Sequence, residues 1–333
     1  MSGNGRGPRG AVPVLTLDVH LAPEDLADAL RSDVLAGLTS SPKELPPRWF
    51  YDETGCALFD DITRLDEYYL TRREREILDA HAPDIAAATS ADTLVELGSG
   101  TSEKTRLLLD ALAGAGALQR FVPFDISEPT LRSAAEAIAA EYPGTAIHAV
   151  VGDFEHHVPL LPVDGRRLVA FLGSTIGNLL PGKRARLLGE IGDGLNDGDS
   201  LLLGCDLVKD PARIEAAYND AAGVTAAFNL NVLSVLNREL GAGFDPGRFV
   251  HVARFDPEQE WVEMRLRSLE EHTVHVARLD LEVGFGDGEE MRTEISTKFR
   301  RDGVERELEA AGLEPRCFWT DEGSDFGMFL AFK

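Results

Sequence analysis

The sequence predicts an α/β protein built on an open, mostly parallel sheet, with a second α+β unit made from an N-terminal segment and an insertion. Three observations support this fold class. Apolar runs bounded by turn signals alternate with helical patterns between residues 93 and 207. The first of these runs leads into a glycine-rich turn that opens a helix. After residue 207 the pattern changes to two helices and segments with a period of two, and the α/β pattern returns at residue 298.

The stretch from Thr93 to Ser102 predicts a short buried strand followed by a Gly-Ser-Gly turn. Gly98 and Gly100 allow positive φ angles and a close approach of the backbone to a ligand, and the next helix begins with unpaired N–H groups. The dinucleotide fingerprint needs a small residue where Glu103 stands, and a carboxylate suits a pyrophosphate poorly. The turn therefore favours a nucleotide-like ligand without phosphates over NAD, and S-adenosylmethionine is the commonest of these ligands.

Composition argues against several classes of partner. The 57 acidic and 33 basic residues give a formal net charge of −24, which disfavours nucleic acid and anionic membranes. No apolar run approaches the roughly 20 residues needed to span a bilayer. The three cysteines, Cys56, Cys205 and Cys317, match neither a disulfide framework nor metal-ligand spacing. We expect a monomeric protein of the reducing cytoplasm, without a structural metal.

Along the chain, residues 1–19 are expected to form a disordered tail. A helix begins at Pro23 and ends at the proline-containing stretch 41–47. The next segment, residues 49–69, is rich in aromatic residues and holds three of the five tyrosines. Tyrosine suits a hydrophobic core and a polar pocket equally well, so both interpretations stay open. A helix over residues 73–88 then leads to the first strand.

The βαβ pattern continues through four further strands, with a helix over 129–141 that Ser127 is placed to cap and a helix over 183–195. These strands cover residues 121–125, 146–154, 168–175 and 200–207. In an open parallel sheet, ligands bind at the carboxyl ends of the strands. The residues expected at that edge are Gly98, Asp125, Asp153 and Gly173.

The insertion is predicted to contain helices over 211–222 and 224–240, followed by three antiparallel strands over 249–255, 261–268 and 273–283. A helix over 304–311 and strands over 316–320 and 326–332 would complete the parallel sheet. We therefore predict one domain from residues 73–206 and 298–333. The second domain would combine residues 20–72 and 207–297.

Several polar residues fall where chemistry is expected. Asp125, 25 residues after Gly100, is placed to accept the hydroxyls of a ribose, and Asp153 with Phe154 could hold an adenine. Asn178 follows the fourth strand and offers uncharged donors and an acceptor to an amine or a carboxylate. Each of these residues could instead be a turn, cap or loop residue.

Glu294 and Ser296 share one face of an extended segment and could hold a nitrogenous side chain, although a surface strand edge carries the same letters. His156 and His157 are adjacent and have no third ligand nearby, so they do not predict a metal site. The chain contains no nucleophile elbow and no phosphate-binding Walker loop, which disfavours a hydrolase or an NTPase.

Five motifs taken together resemble the L-histidine Nα-methyltransferases of ergothioneine biosynthesis, and the resemblance covers nearly the whole chain after the tail. It implies a Rossmann-like class I methyltransferase domain and a second domain, with histidine bound between the two. The motifs are Trp49-Phe50-Tyr51-Asp52, Ile62-Thr63-Arg64-Leu65 with Glu67-Tyr68-Tyr69, Glu96-Leu97-Gly98-Ser99-Gly100, Gly173-Ser174-Thr175-Ile176-Gly177-Asn178, and Thr293-Glu294-Ile295-Ser296.

The resemblance also implies roles for individual residues. It implies Asn178 and Tyr51 as catalytic residues. The matching Asn178 and Tyr218 would hold the amino-acid end of histidine, and Glu294 and Ser296 would grip its imidazole. The residues implied around S-adenosylmethionine are Tyr51, Gly98, Lys104, Asp125, Asp153 and Phe154. Those implied around histidine are Tyr68, Gly173, Asn178, Tyr218, Met264, Glu294 and Ser296.

The implied reaction is an in-line transfer of the sulfonium methyl group to the neutral α-amine, repeated on the mono- and dimethylated forms until the betaine hercynine results. Positioning would supply most of the catalysis, at best roughly 7–11 kcal/mol. Two alternatives remain open at this stage. One is a methyltransferase for another amino acid or small amine, and the other is a non-catalytic module that binds S-adenosylmethionine.

Overall fold

The computed structural model describes residues 15–333. Its strands are β1 (Leu15–Val19), β2 (Thr93–Leu97), β3 (Arg120–Asp125), β4 (Ala146–Val151), β5 (Arg167–Phe171), β6 (Ser200–Asp206), β7 (Phe249–Asp256), β8 (Trp261–Ser268), β9 (His272–Val276), β10 (Leu281–Phe285), β11 (Glu290–Thr297), β12 (Glu314–Thr320) and β13 (Phe326–Phe332). Its helices are α1 (Pro23–Thr39), α2 (Glu53–Ile62), α3 (Leu70–Thr89), α4 (Thr105–Gly114), α5 (Glu128–Glu141), α6 (Phe154–His157), α7 (Pro181–Gly194), α8 (Pro211–Tyr218), α9 (Val224–Leu240) and α10 (Arg301–Ala310).

The largest sheet has the strand order β1-β4-β3-β2-β5-β6-β13-β12. Strands β1 to β6 are parallel, and β13 runs antiparallel between β6 and β12. The chain passes from β2 to β3 and β4 on one side and returns to β5 on the other side. The carboxyl ends of β2 and β5 therefore flank a topological switch point, where α/β sheets bind ligands. The predicted α/β fold class is confirmed.

Both faces of this sheet are covered, which explains the continuous apolar runs in its strands. Every residue of β2 is buried. Leu94 packs into one hydrophobic cluster, whereas Val95 and Leu97 pack into a second cluster on the opposite face. The alternation leaves β2 no exposed face, so it forms the centre of the sheet.

A second layer of structure covers the carboxyl ends of the parallel strands. It contains the three-stranded antiparallel sheet β11-β8-β7 and the antiparallel pair β9-β10. The N-terminal segment joins this layer, because Leu45 N–H donates to the carbonyl of Arg292 (2.8 Å) and Arg292 N–H donates to the carbonyl of Lys43 (3.0 Å). The exact division into two domains stays a prediction.

Three expectations about local structure were wrong. Residues 15–19 are not a disordered tail but form β1, which pairs in parallel with β4; residues 1–14 of that predicted tail lie outside the described residues. The single strand expected over 273–283 is two strands, because Asp280 adopts φ 47° and reverses the chain between β9 and β10. Ser127 occupies the N-cap of α5, but its hydroxyl donates to Thr130 Oγ1 (2.9 Å) instead of capping a backbone N–H.

The turn after β5 packs tightly on β11. Its residues Thr175–Asn178 form one turn of 3₁₀ helix. At Gly177 a Cβ atom would lie 2.9 Å from the carbonyl oxygen and 3.2 Å from the nitrogen of Thr297. Only glycine allows this approach, because both neighbouring atoms belong to the backbone of a paired strand.

We predict that Gly177→Ala lowers the free energy of unfolding by about 1–3 kcal/mol, because the added methyl group overpacks this contact. Urea unfolding measures the change. Gly182→Ala is the matched control, since a Cβ there meets no atom within 4 Å and the position lies in the first turn of α7. Equal stability of the two variants would contradict the packing argument.

Candidate active site

The turn after β2 is open on the side where a ligand would approach. Gly98 (φ 69°) and Gly100 (φ 48°) have left-handed backbones, and no atom lies within 4 Å of a Cβ built on either residue. Asp125, at the end of β3, faces this turn and accepts from Gly100 N (2.9 Å) and Ser127 N (2.9 Å). Burial raises the pKa of Asp125, while these two backbone donors lower it. The carboxylate is thereby held in one orientation.

Glu74 links the helix that follows this turn to the turn after β5. It is completely buried, forms an ion pair with Lys104 and accepts from Gly173 N (2.7 Å). Glu74 belongs to none of the motifs recognised in the sequence. A signal existed, because Glu74 lies three and four residues before Ile77 and Leu78 on the buried face of α3. A charged residue on an apolar helix face requires a partner.

Asp153, after β4, is held by two donors. Arg48 Nη1 donates to one carboxylate oxygen (2.6 Å), and Glu155 N donates to the other (2.9 Å). Arg48 also contacts Asp33 Oδ2 in α1 (2.6 Å) and so ties the N-terminal segment to the end of β4. Phe154, next to Asp153, is half-buried and packs against the ring of Phe171. Arg48 is a second residue that sequence reasoning missed.

A single cavity brings together all the residues predicted to hold histidine, and Tyr51 with them. They come from the aromatic segment, the turn after β5, α8, and strands β8 and β11. The lining residues are Tyr51, Phe59, Ile62, Tyr68, Gly173, Ser174, Thr175, Asn178, Ala217, Tyr218, Thr225, Phe228, Met264, Glu294 and Ser296. Their individual roles stay predictions.

Strand alternation places both Glu294 and Ser296 in this cavity, and Met264 lies opposite Glu294 in the β8–β11 register. Burial raises the pKa of Glu294 to about 8, and the positive charge of Lys298 opposes part of that increase. Among residues 15–333, no hydrogen-bond donor contributes to this pKa, which depends on burial and on Lys298. Glu294 is therefore a buried carboxyl group with an oxygen free to accept from a ligand, and in the free protein it keeps its proton at neutral pH.

The tyrosines of the cavity are neutral hydrogen-bonding groups. Burial raises the pKa of Tyr51, Tyr68 and Tyr218 well above the ordinary value, and nearby Glu294 adds to each increase. Tyr218 OH donates to Ser296 Oγ (2.8 Å), and the rings of Tyr68 and Tyr218 pack edge to face. At neutral pH these phenols keep their protons, so none of them supplies a negative charge.

Other candidate chemistries find little support. Within residues 15–333, no group of three or more His, Cys, Asp or Glu side chains is arranged to hold a metal ion. His157 instead accepts from Asp153 N (3.0 Å), and all three cysteines are free. No helix in the same range has the length and apolar character needed to cross a membrane.

The open sheet, the glycine turn after β2 and the acidic side chains after β3 and β4 define a class I S-adenosylmethionine-dependent methyltransferase. The turn fits this methyl donor in two respects: it leaves space beside Gly98 and Gly100, and the buried Ser99 hydroxyl has no partner among residues 15–333. An unpaired buried hydroxyl is costly unless a ligand satisfies it.

Comparison with known proteins identifies the family. The family described as "Histidine-specific methyltransferase, SAM-dependent" matches residues 30–333. The chain is 59% identical over 319 residues to the histidine N-alpha-methyltransferase of Mycolicibacterium smegmatis, covering 96% of this chain and 99% of that protein. It is 57% identical over 314 residues to the histidine N-alpha-methyltransferase of Mycobacterium tuberculosis, covering 94% and 98%.

A more distant relative, the ergothioneine biosynthesis protein 1 of Neurospora crassa, is 31% identical over 302 residues, which are 88% of this chain and 33% of that protein. The chain therefore belongs to the family of S-adenosylmethionine-dependent, histidine-specific methyltransferases. The family and the methyl donor predicted from the sequence are both confirmed.

We predict that Asp125→Asn weakens binding of S-adenosylmethionine by about 10- to 100-fold, because hydrogen bonds to a charged acceptor are worth about 1.5–3 kcal/mol. Calorimetric titration measures the affinity. Asp164→Asn is the control, since Asp164 is exposed and precedes the amino end of β5. If both variants bind the methyl donor as tightly as the unchanged protein, Asp125 does not contact it.

We also predict that Glu294→Gln stabilises the free protein at high pH. The pKa of Glu294 is about 8 in the folded protein and near 4.5 in an unfolded chain. Between these two pH values the folded protein keeps the Glu294 proton, whereas the unfolded chain loses it. Its contribution to stability therefore falls as pH rises from about 4.5 to about 8, and the full penalty applies above that range.

The expected increase in Tm at pH 9 is about 2–4 °C per kcal/mol of penalty removed, with little change at pH 5. Thermal unfolding monitored by circular dichroism at the two pH values measures it. Glu24→Gln, at an exposed position in α1, is the control. The same Tm difference at both pH values would show that Glu294 is not the titrating group.

Proposed function

We propose that the protein transfers methyl groups from S-adenosylmethionine to the α-amino group of L-histidine, three times in succession, and releases hercynine. The observation that carries this proposal is the single cavity beside Gly173, which collects Asn178, Tyr218, Glu294 and Ser296 from separate parts of the chain. Support also comes from the two mycobacterial relatives named for histidine methylation, which match over nearly their full length.

The chemistry of the lining residues suits an amino acid with a nitrogenous ring. Asn178 can orient an amine or a carboxylate without adding charge, and the phenol of Tyr68 is a neutral donor for a carboxylate, whereas the hydrogen of Tyr218 OH is donated to Ser296 Oγ. Glu294 accepts from a ring N–H, with Ser296 beside it. A site that pairs several buried polar groups with those of its substrate rejects analogues that lack all of them, such as phenylalanine, by about 10⁴-fold. Met264 and Phe59 supply apolar walls.

Catalysis then consists mainly of positioning. S-adenosylmethionine, when bound, supplies an electrophilic sulfonium methyl group. A neutral α-amine needs only alignment for an in-line attack, and such alignment can contribute roughly 7–11 kcal/mol. Tyr51 and Asn178 both line the cavity, and they would orient the amine through neutral groups, which leave its lone pair free. Each transfer leaves S-adenosylhomocysteine, which a new methyl donor must replace, and the ammonium formed by the first two transfers must release a proton before it can react again. The third transfer gives a quaternary ammonium with no proton to lose and no lone pair, so the reaction ends there.

We further propose that the enzyme acts as a monomer in the cytoplasm, at the first step of ergothioneine biosynthesis. The cavity is lined by residues of one chain, so its chemistry needs no second copy. The three free cysteines suit a reducing compartment. The pathway is supported by the Neurospora crassa relative, whose name refers to ergothioneine biosynthesis.

The proposal is tested by incubating the protein with S-adenosylmethionine and each of histidine, phenylalanine and tryptophan, with mass spectrometry of the products. We expect histidine alone to gain three methylene units. Equal turnover of the other amino acids would favour a methyltransferase of broader specificity. Tight binding of S-adenosylmethionine without transfer to any amino acid would indicate a non-catalytic module.

In the same assay, Asn178→Ala should lower kcat at least about 10²-fold, because a 1 Å misplacement of the amine has an effect of this size. Affinity for S-adenosylmethionine should stay within about twofold. Asn196→Ala, in the exposed loop before β6, is the matched control. If Asn178→Ala instead lost affinity for S-adenosylmethionine, Asn178 would contact the methyl donor and not the histidine.

A further inference from the structure

Lys298, two residues beyond Ser296, is fully buried beneath the cavity. Its ammonium group lies 2.8 Å from Asp206 Oδ2 and donates to Tyr218 OH (3.0 Å) and to Ser296 Oγ (3.0 Å). A lysine ammonium has three hydrogens and no acceptor. All three hydrogens are therefore used, one on the carboxylate and two on hydroxyl groups of the cavity wall.

The charge of Asp206 does not by itself require Lys298. Lys209 forms a second ion pair with Asp206, and Tyr69 OH donates to its carboxylate (2.9 Å). Asp206 would consequently keep charged and neutral partners if Lys298 were replaced. The two bonds that Lys298 makes to Tyr218 and Ser296 are what distinguish it from Lys209.

These bonds decide what the Ser296 hydroxyl can do. Its oxygen accepts from Lys298 and from Tyr218 OH (2.8 Å), so both lone pairs are occupied. Its own hydrogen has no acceptor among residues 15–333, and Ser296 lines the cavity. Toward a ligand, Ser296 can therefore donate a hydrogen bond but cannot accept one.

Glu294, two residues earlier on the same strand face, has a carboxyl oxygen that can accept a hydrogen bond, whereas Ser296 can only donate one. A neutral imidazole carries one N–H donor and one acceptor nitrogen, so it matches this pair. An imidazolium carries two donors, and its second N–H would meet a hydroxyl with no free lone pair and a nearby ammonium group.

We propose that Lys298 is a positioning residue that restricts Ser296 to hydrogen-bond donation, so that the cavity selects the neutral imidazole of its substrate through the ring's acceptor nitrogen. The inference rests on the proposed function and deepens it, because it assigns the selection of the ring's protonation state to a residue that does not touch the substrate. Lys298 acts through Ser296 and Tyr218.

The test measures how strongly the enzyme prefers histidine over two kinds of ring analogue. Pyrrolyl-alanines keep a ring N–H but lack the acceptor nitrogen, whereas thiazolyl-alanines keep an acceptor nitrogen but lack the N–H. For the unchanged enzyme we expect kcat/KM to favour histidine over the pyrroles by about 10- to 100-fold, the loss expected when one buried hydrogen bond is unmade.

Lys298→Met should reduce the preference over the pyrroles to within about threefold, mainly by raising the KM for histidine. The preference over the thiazoles should change less than about twofold, since it depends on Glu294. Lys298→Gln keeps an amide that can donate to one hydroxyl, so an intermediate preference is expected from it, and this variant serves if Lys298→Met does not fold. Lys183→Met, at an exposed ion pair with Glu155, is the control.

Three outcomes would overturn the inference. Equal losses of kcat/KM for histidine and the pyrroles would give Lys298 a purely structural role. An unchanged preference in Lys298→Gln would show that Ser296 needs no help in donating. Failure of the unchanged enzyme to methylate histidine would refute the proposed function itself, and that result is visible before any variant is made.

Discussion

The structure depends on one short turn, residues 173–178, that is held from three sides. Buried Glu74 holds its first residue by the N–H of Gly173, and Ser174 Oγ accepts from Asp206 N (2.9 Å) at the end of β6. Its last residues lie on β11, where the absence of a side chain at Gly177 allows backbone contact with Thr297. The same turn thus joins the parallel sheet to the antiparallel strands that form the other wall of the cavity.

The side chains proposed to lie near the reacting nitrogen are neutral, so they favour the uncharged form of a bound amine. A carboxylate close to the reacting nitrogen would stabilise the ammonium form and raise its pKa, and that form cannot attack a methyl group. The groups supplied by the aromatic segment and by the turn after β5 are phenols and an amide, and burial keeps the phenols protonated. The acid of the cavity, Glu294, belongs to β11, where the proposed role is recognition of the ring.

Sequence patterns predicted the strands and helices whose formation depends on residues close to one another in the chain. Strands β2 to β6 were recognisable because both faces are buried, and the site residues on them followed from the ends of these strands. Strand β1 was missed although Leu15, Leu17 and Val19 alternate with polar residues, because a pattern of only five residues is a weak signal beside the Gly-rich N-terminal stretch. Glu74, Arg48 and Lys298 were missed because their partners lie far along the chain: Arg48 meets Asp153 and Lys298 meets Asp206 only after folding.

The position of β13 between β6 and β12 has a consequence for how the chain reaches its native state. Phe326 pairs with Asp206, although α8, α9 and the whole antiparallel layer lie between them in sequence. Closing so long a loop costs entropy before its contacts form, and proteins with high contact order fold slowly. Until β13 arrives, the edge of β6 exposes unpaired backbone groups that favour aggregation. Refolding yield should therefore depend on protein concentration more strongly than native stability does.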